Sequence, residues 1–148
     1  MEGKREITTL LCVRQSFQPA PTDLVRWLAP GSDFDRVHQS VRAHGLEPPD
    51  EAEWLDWHRQ GYRFCARTST GAPETIVAMA AVLKHSETEW ELAGVRTQDA
   101  CQGQGHGKAV ASFVTAYILG ELPQALCRTG ASNEAMRHVA ESLGYRPQ

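Results

Sequence analysis

The sequence of 148 residues has no apolar run long enough to span a membrane. Its opening, Met1-Glu2-Gly3-Lys4-Arg5-Glu6, is charged and no signal-type apolar segment follows it, so secretion is not expected. Positive charge is not in surplus either. The formal net charge is −3, and no basic footprint points to nucleic acid. Cysteine is sparse and shows no pairing pattern. Cys12, Cys65, Cys101 and Cys127 stand far apart, with no Cys-x-x-Cys and no nearby paired His. That argues against a zinc site and against a disulfide framework. Cys12, Cys65 and Cys127 fall in apolar, strand-like runs and read as small buried hydrophobes, whereas Cys101 is expected at the surface. A reducing, cytoplasmic setting without a metal follows as the expectation. Repeats, low-complexity tracts and interdomain linkers are also missing, so residues 1–148 read as one domain with a sizeable core.

What the chain does have is Gln102-Gly103-Gln104-Gly105-His106-Gly107-Lys108, three glycines at alternate positions. A strand-like run, Trp90–Thr97, lies before it. After it Val110, Phe113, Val114, Tyr117 and Ile118 recur at the spacing of one helical face. A strand, a glycine turn and a helix start make an anion site. The first helical N–H groups lack internal partners, and the helix dipole adds positive potential there. The P-loop pattern fails, because Gln102 stands where its first glycine belongs and Ala109 follows Lys108. The dinucleotide fingerprint Gly-x-Gly-x-x-Gly fails as well. A glycine loop that only turns the chain is the bland alternative.

The remaining elements follow from periodicity and punctuation. Residues 7–13 read as a strand. Thr22 is placed as the cap of a short helix with Leu24, Trp27 and Leu28 inward, ended by Pro30-Gly31. Ser32 or Asp33 caps a second helix with Phe34, Val37 and Val41 on one face and Gly45 at its end. Asp50-x-x-Glu53 opens a third helix in the manner of a capping box; it carries Trp54 and Trp57 and stops at Gly61. Residues 62–68 form a strand, residues 75–83 a central strand buried on both faces, and residues 90–97 another, with Gly94 marking a bulge or a close ligand approach. A helix over 107–119, closed by Gly120 and Pro123, leads to a short strand over 125–129 by a parallel crossover. Ser132 or Asn133 caps the last helix, with Met136, Val139, Ala140 and Leu143 inward and Gly144 at its end.

Gln102-x-x-Gly105-x-Gly107 resembles the Arg/Gln-x-x-Gly-x-Gly/Ala coenzyme loop of the GNAT (GCN5-related N-acetyltransferase) family. The flanking runs Ala93-Gly94-Val95-Arg96-Thr97 and Gly107-Lys108-Ala109-Val110 are similar too, as is Asn133-Glu134-Ala135-Met136 to Leu143-Gly144-Tyr145. The likeness covers roughly residues 62–148. It implies an α/β fold: a GNAT-like twisted mixed β-sheet flanked by helices on both faces. Family members usually carry two further strands after the point where this sequence stops, at Tyr145-Arg146-Pro147-Gln148. The C-terminal strands are therefore expected to be shortened, or the sheet completed by a partner subunit in a homodimer.

The resemblance also implies roles. Acetyl-CoA would be the co-substrate and a small-molecule or peptide amine the acceptor, with direct attack in a ternary complex, because no cysteine matches a family nucleophile position. Gln102, Gly103, Gln104, Gly105, His106, Gly107 and Lys108 would hold the pyrophosphate, mostly through backbone N–H groups. Val95, Arg96 and Thr97 would pair with the pantetheine arm like an added strand. Asn133 would touch the cofactor, or would simply cap its helix. Strict alternation sets Glu89, Glu91, Ala93, Val95 and Thr97 on one strand face, opposite Trp90, Leu92 and Arg96. Glu91 is the first choice of general base and Glu89 the second, each with the alternative of a solvated strand acid. Many family members have a Tyr seven residues after the Asn; here that position is Ala140, with Tyr117 and Tyr145 as candidate substitutes. Trp27, Trp54 and Trp57 either wall an acceptor pocket or belong to the core. The rival readings are an acyl-CoA sensor without turnover and a nucleotide-binding protein of another fold.

Overall fold

The computed structural model describes residues 6–71, 74–98 and 102–148. Its elements are β1 (Ile7–Val13), β2 (Val25–Trp27), α1 (Phe34–Ala43), α2 (Glu51–Arg59), β3 (Tyr62–Thr68), β4 (Ile76–Lys84), β5 (Trp90–Thr97), α3 (His106–Glu121), β6 (Gln124–Gly130), α4 (Glu134–Ser142) and β7 (Arg146–Pro147). The strands form one open mixed sheet in the order β2-β3-β4-β5-β6-β1-β7. Only the β5–β6 pairing is parallel among the described ladders. It is the crossover that the sequence implied, with α3 as the connecting helix.

β4 sits inside the sheet and is apolar at nearly every position, and most of it is buried. Ala78, Ala80 and Val82 face α3 with Leu10, Cys12, Cys65, Val110, Val114 and Ile118. Met79 faces the other way, with Val37 and Val41 of α1, Trp54 of α2 and Ala66. Helices thus cover both faces, and period-2 alternation along β4 feeds two cores. α2 begins as its sequence indicated: Asp50 Oδ1 accepts from the Glu53 N–H at 2.8 Å, and Glu53 Oε1 accepts from the Asp50 N–H at 3.1 Å.

Several expectations need correction. The short helix over 22–28 is absent. Residues 25–27 are β2, paired antiparallel with β3 through Val25↔Arg67 and Trp27↔Cys65. Ladder pairing on the edge of an apolar sheet outweighs the weak helical spacing of Leu24, Trp27 and Leu28. Asp33 precedes α1 but makes no capping bond. Its carboxylate instead accepts from Arg26 twice at 2.9 Å, from the Ala29 N–H at 2.7 Å and from Arg36 at 3.1 Å. α3 does not stop at Gly120 but runs to Glu121; glycine is tolerated in the last turn, and Pro123 forces the exit.

The strand beside β6 comes from the opposite end of the chain. β1 pairs with β6 along its whole length, from Ile7↔Gly130 to Val13↔Gln124. After α4 only the two residues of β7 join, against Leu10 and Leu11 of β1. The chain's own first strand fills the place next to β6.

Candidate functional site

Two local irregularities build the site. The first is a bulge in β5. Ala93 stands opposite Ala81, but Arg96 stands opposite Met79, so three steps on β5 match two on β4. Gly94 absorbs the extra residue with φ +61, a left-handed conformation open to glycine at little cost. The bulge breaks the alternation assumed for this strand. Glu91, Ala93 and Arg96 share the face of Met79, while Val95 joins the α3-side core and Thr97 lies by Gly107.

The second irregularity is a parting of strands. β5 and β6 are paired only at Glu91↔Leu126 and Leu92↔Cys127. Beyond that, the β5 edge from Ala93 to Thr97 has no partner on the β6 side among the described ladders. A cleft of about 630 Å³ opens there. Val95, Arg96 and Thr97 line it from the strand, Gln102, Gly103, Gly105, His106, Gly107 and Lys108 from the loop and helix start, and Asn133 from the start of α4.

At the helix start Gly105 holds φ +81. Among the described residues no side chain caps α3, and none of the backbone bonds takes the N–H of His106, Gly107 or Lys108. A Cβ at position 107 would meet Thr97 Oγ1 at 3.1 Å, so glycine there lets the helix sit tight against β5. Burial first, then the charge of Arg67, holds the His106 imidazole below its ordinary pKa. Its Nδ1 is hidden without a partner, and its Nε2 lies 3.2 Å from Gln104 Oε1. The charge of Arg67 nearby and a helix start uncapped among the described residues leave a place for an anion. Asn133 does cap α4, its Oδ1 accepting from the Met136 N–H at 3.2 Å, and it also lines the cleft.

The two carboxylates differ sharply. Glu91 sits where the strands part, its side chain 11 % exposed, with Oε1 at 2.6 Å from His85 Nε2 and 3.1 Å from Arg128 Nη1. Glu89 lies just before β5, 53 % exposed and 3.9 Å from Arg128. Glu89 lines a second cleft of about 420 Å³ on the open sheet face, with Arg128, Leu126, Thr9 and Leu11. His85 and Arg128 had no signal of their own in the sequence. The hairpin between β4 and β5 folds His85 back onto Glu91, six positions on, and only the β5–β6 pairing brings Arg128 to it.

Neither tyrosine reaches the cleft. Tyr145 is buried with its hydroxyl 2.8 Å from Thr115 Oγ1. Tyr117 accepts a hydrogen bond from Lys84 Nζ at 3.0 Å and packs on Trp27 and Trp90. The tryptophans are core and scaffold. Trp54 is fully buried and donates to the Pro30 carbonyl at 2.7 Å, with Trp57 against it, while Trp27 meets Phe113 and Arg63 on the α3 side. Cys12, Cys65 and Cys127 are buried, and burial pushes the Cys65 and Cys127 thiols up to about 12. Cys101 lies outside the described residues. Among the described residues no cluster of His, Cys, Asp and Glu fits a metal ion, and no helix is long and apolar enough to cross a membrane.

Comparison with known proteins agrees with this architecture. A family model described as an acetyltransferase (GNAT) domain matches residues 16–146. No curated protein matches the chain. Among solved structures, a GNAT-family acetyltransferase from Colwellia psychrerythraea aligns at TM-score 0.73 and 13% identity, over 98% of this chain and 54% of its own. A GCN5-related N-acetyltransferase from Sphaerobacter thermophilus gives 0.68 and 16%, over 97% and 49%. A tandem GNAT protein from the clavulanic acid biosynthesis pathway gives 0.65 and 13%, over 95% and 50%. At these identities the likeness is one of fold, and the chain spans about half the length of these structures.

Proposed function

The chain belongs to the GNAT acetyltransferase family, and from that premise we propose that it moves an acetyl group from acetyl-CoA to an amine by direct attack. The observation that carries this reading is the start of α3, which among the described residues is uncapped and whose unpaired N–H groups belong to residues lining the cleft beside the open edge of β5. The diphosphate of the coenzyme would rest on the backbone of 103–108, with the dipole of α3 and Lys108 adding charge. The pantetheine arm would pair with the unpartnered backbone of Val95, Arg96 and Thr97 as an added strand. Asn133 would border it from α4. The thioester would then lie near the parting of β5 and β6, on the strand that carries Glu91.

Chemistry there needs a base and a place for negative charge. The amine nitrogen attacks the thioester carbonyl carbon, and a β5 backbone N–H would stabilise the oxyanion that forms. Glu91, directly or through water, takes the amine's proton. His85, 31 % exposed on the solvent side of Glu91, would pass that proton outward. The C–S bond then breaks and the thiolate takes a proton from water. Free thiols have a pKa of about 8.5, so the thiolate is a tolerable leaving group near neutral pH and the Tyr replaced by Ala140 is not essential. Glu89, the more exposed acid, is the second candidate base.

One observation favours a second reading. Glu91 Oε1 is already engaged by Arg128 and His85, which would suit a protein that senses acyl-CoA without turning it over. Calorimetric titration with acetyl-CoA, coupled to thiol release across a panel of amines, separates the two. Acyl transfer predicts binding and release, with Glu91→Gln lowering kcat by roughly 10²- to 10⁴-fold while coenzyme affinity holds. Binding without release from any amine supports the sensor. Stabilisation by ATP or NAD but not by acetyl-CoA would overturn both.

A further inference from the structure

Among the described residues Arg96 has no acid to hold. Among the described residues its one hydrogen-bond contact is Met79 Sδ at 3.1 Å, and a thioether is a weak acceptor. Arg26, Arg36 and Arg128 each hold a carboxylate; Arg96 instead lines the cleft. Burial lowers its pKa from the ordinary arginine value with no anion to offset it. A planar guanidinium with five donors, partly desolvated and unmatched, is a receptor for a planar anion.

That anion is not the diphosphate. The bulge at Gly94 turns Arg96 to the face of Glu91 and Ala93, whereas Val95 and Thr97 face α3 and the glycine loop. Arg96 therefore points to the α1 and α2 side of the sheet. His44, at the end of α1, lines the same cleft, and its Nδ1 is hidden without a partner. Glu91 and Arg96 lie opposite Leu83 and Met79. Those β4 positions are four residues apart, about 13 Å along the strand. The arginine side chain at one end and the base with its amine at the other take up part of that span. What is left suits a small molecule.

Resting on the acyl-transfer reading above, we propose that the acceptor is a small amino acid, whose carboxylate is held by Arg96 while its amine faces Glu91. The test uses the whole chain and matched pairs: ω-amino acids of increasing length and their carboxamides, with thiol release as the readout and acetyl-CoA titration alongside. The expected result is a kcat/KM roughly ten- to hundred-fold higher for the acid than for its amide, carried by KM. In Arg96→Gln the acid-to-amide ratio falls to near one, and in Arg96→Lys part of it returns. A ratio of one in the wild type, a ratio that survives Arg96→Gln, or no turnover of any amino acid overturns the proposal. Turnover of neutral amines alone would leave acyl transfer standing and remove only the carboxylate. Failure to bind acetyl-CoA would remove both.

Discussion

His106, Asp33 and Gly144 each show how one side chain, or the lack of one, commits the fold. His106 is held below its ordinary pKa by burial and then by Arg67. An anion beside it acts in the opposite sense. Coenzyme binding is therefore expected to raise the His106 pKa and take up protons, so that affinity increases as the pH falls. NMR titration of the imidazole with and without coenzyme A measures this; an unmoved or lowered pKa would count against the site. Asp33 is the mirror case. Its hydrogen bonds from Arg26 hold its carboxyl down at about 2 against a usual 3.8. A depressed acid contributes stability that is present above about pH 4 and lost as the pH falls through about 2. Asp33→Ala breaks a buried acid away from two half-exposed arginines, and a loss of about 3 kcal/mol in urea unfolding is expected. In Asp33→Ala the acid limb between pH 4 and pH 2 also flattens. Gly144, at φ +106, lies where a Cβ would strike the Ser16 carbonyl. Backbone cannot yield as a side chain end can. Gly144→Ala should destabilise by several kcal/mol, seen as a lower Tm, because both strain and collision act there.

Short-range signals marked most elements, and long-range ones did not. The capping box at Asp50 and Glu53, the apolar run of β4 and the glycine that ends α4 are decided within a few residues, and each was legible in the sequence. β2 was not, because three residues with helical spacing became a strand only through β3. Nor could alternation along β5 be carried past Gly94: a bulge is set by pairing with β4, and it reversed the faces of Val95, Arg96 and Thr97. His85 and Arg128 reached Glu91 by the same tertiary route, one through a hairpin and one through a parallel neighbour. The glycine loop turns the chain from strand to helix as its sequence indicates, and its tightest demand falls on position 107. Gly107→Ala puts a methyl 3.1 Å from Thr97 Oγ1. Either the Thr97 side chain or the start of α3 must give by a few tenths of an ångström, and movement of the helix start misplaces its N–H groups. Coenzyme affinity should drop about ten-fold, near 1.4 kcal/mol, with Tm little changed; equal losses of Tm and affinity would instead mean general unfolding.

The chain is threaded so that its two ends share one edge of the sheet. β1 lies between β6 and β7 and supplies Leu10 and Cys12 to the larger core. Past β1, the Gln18 N–H donates to the Leu143 carbonyl at 2.8 Å, tying the first turn to the end of α4. The first 60 residues carried no recognisable motif, yet β1 completes the sheet and α1 and α2 cover one face. Removing residues 1–13 would strip β6 of its longer pairing, that with β1, and leave an exposed edge rich in apolar residues. The truncated chain is expected to aggregate on expression; a soluble, coenzyme-binding product would contradict this threading. The same threading leaves the cleft bordered by elements distant in sequence: α1 through His44, β5, α3 and α4.

The central claim is that the backbone amides at the start of α3 take the diphosphate of acetyl-CoA. Amide NMR of the full chain during coenzyme A titration tests it most directly. The account predicts large, saturable shifts at His106, Gly107 and Lys108, with Val95 and Thr97 following and the β2–α1 region unmoved. Binding that leaves those three amides in place and perturbs another face of the sheet would contradict it.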